Sequence, residues 1–198
     1  MFHRQIDAVV IGASAGAIEA LSGILTKLPE GFSIPILIVV HLPMDRDNAI
    51  VDLFRRKCQI PVWEAEDKGP IRAGKIYFAP PDYHLLIEQD ASFSLSTEPL
   101  VNFSRPSIDV LFETAADAYA NRLVGIVLTG ANHDGAAGLR KIVDAGGIGL
   151  VQHPETALVA TMPQAALDLC PEAFPFTLEQ IANTLIELHH RATNRVNQ

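Results

Sequence analysis

Residues 6–25 read Ile-Asp-Ala-Val-Val-Ile-Gly-Ala-Ser-Ala-Gly-Ala-Ile-Glu-Ala-Leu-Ser-Gly-Ile-Leu, and this stretch decides the fold. The apolar, β-branched run from Asp7 to Ile11 breaks into Gly12-Ala13-Ser14-Ala15-Gly16. Ile18, Leu21, Ile24, Leu25 and Leu28 then recur three and four apart, the spacing of one buried helix face. The segment therefore predicts a strand, a tight turn and a helix. Its turn spells G-x-S-x-G, in which a serine sits on a sharp strand-to-helix bend with its hydroxyl above the strand end. The helix behind it offers free N–H groups to a developing negative charge. Two plainer readings compete. Ser14 could be an ordinary N-cap, or the turn could be a worn dinucleotide loop, with Gly12, Ser14 and Ala17 at the three glycine positions of G-x-G-x-x-G.

The composition narrows the function classes. The chain has 198 residues, 48% hydrophobic and 19% charged, which suits one α/β domain that buries about 70% of its unfolded surface. A net charge of −8 and the lack of a Lys/Arg stripe argue against a nucleic-acid surface. Arg55-Arg56-Lys57 is the densest basic cluster, better suited to ending a helix than to binding phosphate. Cys58 and Cys170 lack metal-ligand spacing and read as free thiols of a reducing compartment. Met1–Gln5 runs straight into the first strand without the pattern of a signal peptide, and no apolar run approaches the roughly 18 residues of a membrane span. These features predict a cytoplasmic protein with no membrane insertion.

Outward from the first helix, Pro35–Val40 is a continuous apolar run of the kind that parallel strands buried on both faces require; His41 follows it. A helix is expected around Asn48–Lys57 and a short strand near 61–64. Residues 67–100 hold three short runs, Lys75–Ala79, His84–Glu88 and Ser92–Leu95, divided by turn residues. They read as antiparallel hairpins appended to the sheet. Ser107–Tyr119 is an amphipathic helix with Ser107 as its cap. Leu123–Leu128 is another buried strand, and Ala131–Gly135 opens a helix that runs to Ala145. A strand at 147–152 and helices near 161–169 and 177–190 complete the pattern. The chain is expected to form one domain over residues 1–190, with a frayed tail at 191–198. The alternation predicts an α/β fold, a doubly wound, mainly parallel sheet with helices on both faces.

In such sheets ligands gather beyond the carboxyl ends of the strands. Ser14, His41 and Asp134 each follow a separate apolar strand and so share that edge. A nucleophile, a base and an orienting carboxylate can meet there. A free hydroxyl is a poor nucleophile near neutral pH, so serine needs the imidazole. Imidazole needs the carboxylate to hold its tautomer and stabilise the imidazolium that forms. Each residue also has a structural reading: Asp134 as N-cap of the helix near Gly135, and His41 as a loop histidine on a backbone carbonyl. His133 and His153 also follow strands and compete for the role of base. A dinucleotide site would place an acidic residue after the second strand, where this chain has His41. The predicted geometry puts Ser14 Oγ in or near hydrogen-bond reach of one His41 nitrogen and Asp134 on the other.

At this point the sequence resembles the catalytic domain of the CheB-type protein-glutamate methylesterases. The stretches that carry the resemblance are Val10–Gly16, Val39–Pro43, Tyr77–Leu86, Arg105–Phe112, Leu128–Gly130 with Asp134–Gly138, and Met162-Pro163. By motif the family's nucleophile falls on Ser14, its histidine on His41 and its aspartate on Asp134. The resemblance implies a serine hydrolase that demethylates glutamate γ-methyl esters, and deamidates some glutamines, on the methylated cytoplasmic helices of chemoreceptors, with no metal or cofactor. It places oxyanion donors at Ala15 and Gly16 and in the turn of Gly130, Ala131 and Asn132. The family usually reads Thr-Gly-Met-Gly where this chain has Thr129-Gly130-Ala131-Asn132, and a hydroxyl residue where Ala15 stands. The family's amino-terminal receiver domain has no counterpart in these residues, so the site is expected to lie open and to ignore small phosphodonors. The rival functions are a dinucleotide-binding oxidoreductase and a catalytically silent interaction module.

Overall fold

The strand β1 (Ala8–Ala13) is buried at every position, because it lies inside a sheet covered on both faces. The computed structural model describes residues 5–41 and 49–196. Beside β1 lie β2 (Ile36–Val40) and β7 (Leu123–Val127), both parallel to it. The strands β3 (Val62–Glu64), β4 (Ile76–Phe78), β8 (Ile148–Gln152) and β9 (Phe174–Phe176) extend the sheet. Its order is β3-β4-β2-β1-β7-β8-β9, and every pairing is parallel. The chain leaves β1 toward β2 and later returns to β7 on the other side of β1. The switch of direction therefore falls where Ser14 stands.

Alternate side chains of the strands feed two cores. Val9 and Ile11 of β1 join α1 (Ala17–Leu25), α2 (Ala49–Lys57) and α6 (Leu178–Val196) on one face. Ala8 and Val10 join α3 (Ile108–Tyr119), α4 (Ala136–Asp144) and α5 (Thr161–Leu169) on the other. Helix α3 presses so close to β1 that a Cβ on Gly12 would lie 2.3 Å from Ile108 Cγ2. A small antiparallel hairpin of β5 (His84–Ile87) and β6 (Phe93–Ser96) sits apart from the main sheet.

The doubly wound parallel sheet is as the sequence predicts, with three differences. The run 75–79 is not part of an antiparallel hairpin: β4 is a parallel strand between β2 and β3. Its residues Ile76, Tyr77 and Phe78 are all buried, the signature of a two-faced strand, but three residues are too few to declare it against the flanking prolines. The edge strand β9 has no sequence signal, since Pro175 stands at its centre, a residue tolerated only where one side of the ladder is free. Helix α6 runs to Val196, past the expected end near His190. Asn48, expected to start a helix, and Leu42-Pro43 of the motif after β2 lie outside the described residues.

Candidate active site

Three strand ends meet at one place because backbone hydrogen bonds lock their register. Ser14 N–H donates to the Thr129 carbonyl at 2.9 Å, tying the end of β1 to the end of β7. His41 N–H donates to the Ala13 carbonyl at 3.1 Å, tying the end of β2 to β1. The bend after Ser14 closes through Ala17 N–H to the Ser14 carbonyl at 2.9 Å. Gly16 then caps α1 with φ at +86°, a left-handed conformation that suits glycine. Ser14 is therefore not the cap. Thr129 Oγ1 donates to the Ala15 carbonyl at 2.8 Å and holds the turn from the β7 side.

Asp134 does not cap its own helix either. The residue before α4 is Gly135, in a left-handed conformation and without a side-chain cap. The Asp134 carboxylate turns instead toward α3 and His41. Its Oδ2 accepts Ile108 N–H at 2.6 Å and faces His41 Nε2 at 2.9 Å. Its Oδ1 accepts Ser107 Oγ–H at 2.8 Å, Asn102 Nδ2–H at 2.8 Å and Asp109 N–H at 3.1 Å. Five donors thus hold one carboxylate whose side chain is wholly inaccessible to solvent. Burial pushes this carboxyl up, but the hydrogen bonds from His41, Asn102, Ile108 and Asp109 outweigh it and hold Asp134 below the ordinary carboxylate range. Ser107 does precede α3, but its hydroxyl serves Asp134 and makes no side-chain cap. Asp134 supplies the cap that the sequence assigns to Ser107.

A second buried carboxylate stands behind the first. Asp109 Oδ1 accepts Gly135 N–H at 2.9 Å and Gly138 N–H at 2.7 Å, so it caps α4 from within α3. Its Oδ2 accepts the other Asn102 Nδ2 hydrogen at 2.7 Å. Burial and the neighbouring Asp134 charge raise Asp109, against the opposing hydrogen bonds from Gly138, Asn102 and Gly135. The two carboxylates are thereby pushed apart in proton affinity. Asp134 is the one kept charged beside the imidazole.

The network also sets the tautomer of His41. Asp134 N–H is an obligate donor and points at Asn132 Oδ1, 3.1 Å away. The Asn132 amide nitrogen must therefore face His41 Nδ1, 3.1 Å away. A nitrogen that accepts from an amide carries no proton, so Nδ1 holds the lone pair and Nε2–H points at Asp134. The Asp134 half of the predicted geometry is present. The serine half is not: among the described residues Ser14 Oγ makes no hydrogen bond to His41, and Asn132 occupies the nitrogen it would use. The His41 side chain is 13% exposed.

Of the other histidines, His84 is a structural residue, with Nε2 on the Pro99 carbonyl and Nδ1 accepting Ser107 N–H. His133 lines an open groove of about 640 Å³ between α4 and α5, walled by Ala136, Gln164 and Leu169 and reaching Asn102 and Asp109. That groove lies behind Asp134, and neither Ser14 nor His41 lines it.

Among the expected oxyanion donors, the Gly130 amide is already committed to the Val159 carbonyl at 3.1 Å. The amides of Ala15, Gly16, Ala131 and Asn132 donate to no protein acceptor among the described residues. Gly130 serves by its size: a Cβ there would lie 1.9 Å from Met162 Sδ and 3.0 Å from Ser14 Cβ. Sequence reasoning missed Asn102 and Asp109 as the residues that hold Asp134. Asn102 lies in an irregular turn with φ at +50° and carries no periodic signal. Asp109 sits in the first turn of α3, where an acidic residue is ordinary.

A seven-stranded parallel sheet with helices on both faces, carrying a serine and a histidine–aspartate pair beyond its central strands, defines a doubly wound α/β domain. The chain belongs to the CheB methylesterase family, whose model matches residues 9–185. It is 50% identical over 182 residues to a Leptospira interrogans protein, covering 92% of this chain and 94% of that one. That relative is named, provisionally, protein-glutamate methylesterase/protein-glutamine glutaminase. A Clostridium acetobutylicum protein with the same two activities in its name is 33% identical over 93% of this chain and 53% of its own length. The crystal structure of the Thermotoga maritima CheB methylesterase catalytic domain superposes with a TM-score of 0.88 at 31% identity, covering 93% of this chain and all of that one.

Proposed function

We propose that this chain is a protein-glutamate methylesterase in which Ser14, His41 and Asp134 act as nucleophile, base and orienting carboxylate. Family membership supports the reaction. One observation carries the assignment of residues: Asp134 turns away from its own helix to meet His41 Nε2 at 2.9 Å, one strand from Ser14.

Ser14 Oγ attacks the γ-carbonyl carbon of a glutamyl methyl ester and passes its proton to His41 Nδ1. The imidazolium that forms donates Nε2–H to Asp134, which is charged and already in place. The tetrahedral oxyanion is received by the uncommitted amides of Ala15 and Ala131. The ester C–O bond then breaks, and methanol leaves with the proton from Nδ1. Water enters, gives a proton to the same nitrogen and attacks the acyl-serine. The acyl–Oγ bond then breaks as Nδ1 returns the proton to Ser14 Oγ, releasing glutamate and restoring neutral His41. With a glutamine side chain the same steps release ammonia. No step draws on a metal or cofactor.

The substrate is the methylated cytoplasmic helices of chemoreceptors, and the enzyme works in the cytoplasm. Among the described residues no helix is long and apolar enough to cross a membrane, and the charge of −8 disfavours nucleic acid. The test is methanol release from a methylated receptor fragment, present with the intact chain and lost with Ser14→Ala. Equal release from both proteins overturns the assignment.

A further inference from the structure

Both ring nitrogens of His41 are taken before any substrate arrives, one by Asp134 and the other by Asn132. This has a chemical consequence. A serine is activated only by the nitrogen that holds the lone pair, which is Nδ1, and Nδ1 accepts a hydrogen from Asn132 Nδ2 at 3.1 Å. The Asn132 amide therefore stands where the Ser14 hydroxyl has to donate.

We infer that Asn132 is a latch on the general base, a positioning residue that stores His41 in the productive tautomer while holding its lone pair away from Ser14. The inference rests on the triad proposed above. Two features make Asn132 fit this role. Its Oδ1 is anchored by Asp134 N–H at 3.1 Å, so the side chain is braced by the residue that orients the other side of the ring. Its nitrogen can only donate. When Nδ1 takes the Ser14 proton it becomes a donor itself, and two donors face each other. The latched contact and the imidazolium are thus mutually exclusive. Asn132 has to leave Nδ1 on every turnover, and it returns when the neutral imidazole is restored. The resting enzyme spends little of its time with Ser14 activated, and a substrate that displaces the Asn132 amide switches the base on at the site itself.

Two substitutions predict changes of opposite sign in the reaction of Ser14 with a small fluorophosphonate, which needs no protein substrate. Asn132→Ala removes the competing donor, and Ser14 should be modified about three- to tenfold faster, the rate equivalent of one ordinary hydrogen bond released. Asn132→Asp replaces the donor with an acceptor that draws a proton onto Nδ1, and Ser14 should react more slowly than in the native chain. Histidine ¹⁵N spectra supply the second readout. The native ring should show Nδ1 unprotonated and hydrogen-bonded, and Asn132→Ala should keep Nδ1 unprotonated while moving its resonance as the amide donor is lost. Slower labelling in both variants, or an unmoved Nδ1 resonance in Asn132→Ala, overturns the latch. Failure of the triad itself looks different: no adduct then forms on Ser14 in any of the three proteins.

Discussion

Asp134 caps the helix that contains Asp109, and Asp109 caps the helix that opens just after Asp134. Asp134, just ahead of α4, accepts the opening amides of α3 at Ile108 and Asp109. Asp109, in the first turn of α3, accepts the amides of Gly135 and Gly138 at the start of α4. Asn102 donates one amide hydrogen to each carboxylate. The orientation of Asp134 toward His41 is therefore not a local property of its own loop. It is built into the packing of two helices.

Asp109→Ala should therefore weaken both fold and site. It strands two buried backbone donors and one Asn102 hydrogen, at a cost of about 1–3 kcal/mol for each group left unpaired. Urea denaturation measures that loss, and esterase activity should fall with it because Asn102 no longer braces Asp134. Unchanged stability would mean that water replaces the carboxylate without penalty.

Acid should attack the same network. Asp134 is held below the ordinary carboxylate range, so its contribution is present above the unfolded value of about 3.9 and is lost as the pH falls through the lower folded value. Asp109 is raised, so its contribution has the opposite sign and diminishes as the pH climbs from about 3.9 through its folded value. Asp134→Asn removes the first effect. Its melting temperature should fall less steeply than that of the native chain as the pH drops below about 4, and parallel curves would contradict the role assigned to Asp134.

Gly130→Ala tests the turn behind the nucleophile. The added Cβ would lie 1.9 Å from Met162 Sδ and 3.0 Å from Ser14 Cβ, so Met162 must move and Ser14 is pressed from behind. A displacement near 1 Å costs about a hundredfold in rate. Shortening the opposing side chain, in Gly130→Ala with Met162→Ala, should recover part of kcat even though it costs stability. No recovery would place the damage elsewhere than in this contact.

Ser14→Ala and His41→Ala should each nearly abolish ester hydrolysis, and the double variant should be hardly worse, because the two act as a unit. Asp134→Asn should keep more activity while still losing on the order of 10⁴-fold. Independent, additive losses in steady-state kinetics would show that the residues do not work together.

Much of this was legible in the residues. Ser14, His41 and Asp134 could be chosen because each follows a continuous apolar run, and in a parallel sheet such positions share one edge. What escaped has a common physical cause. The braces of Asp134 come from Asn102, Ser107 and Asp109, some 25 to 32 residues away in the chain, and helix-end rules see only a helix's own neighbours. They assigned Ser107 and Asp134 to cap their own helices, whereas tertiary packing exchanged the partners. The strand β4 is hard to place from sequence for a related reason: with three residues, only its parallel neighbours β2 and β3 reveal what it is. Asn132 could be singled out as a departure in the turn, but its contact with His41 depends on the path of two strands.

Hydrolysis by this domain depends on Ser14 as a nucleophile that His41 activates. The most direct test is to map, by peptide mass spectrometry, the site at which a fluorophosphonate modifies the intact chain, and to repeat the labelling with His41→Ala. A single adduct on Ser14, forming orders of magnitude more slowly without the imidazole, is the predicted result. An adduct on another residue, or labelling of Ser14 at the same rate in His41→Ala, would contradict it.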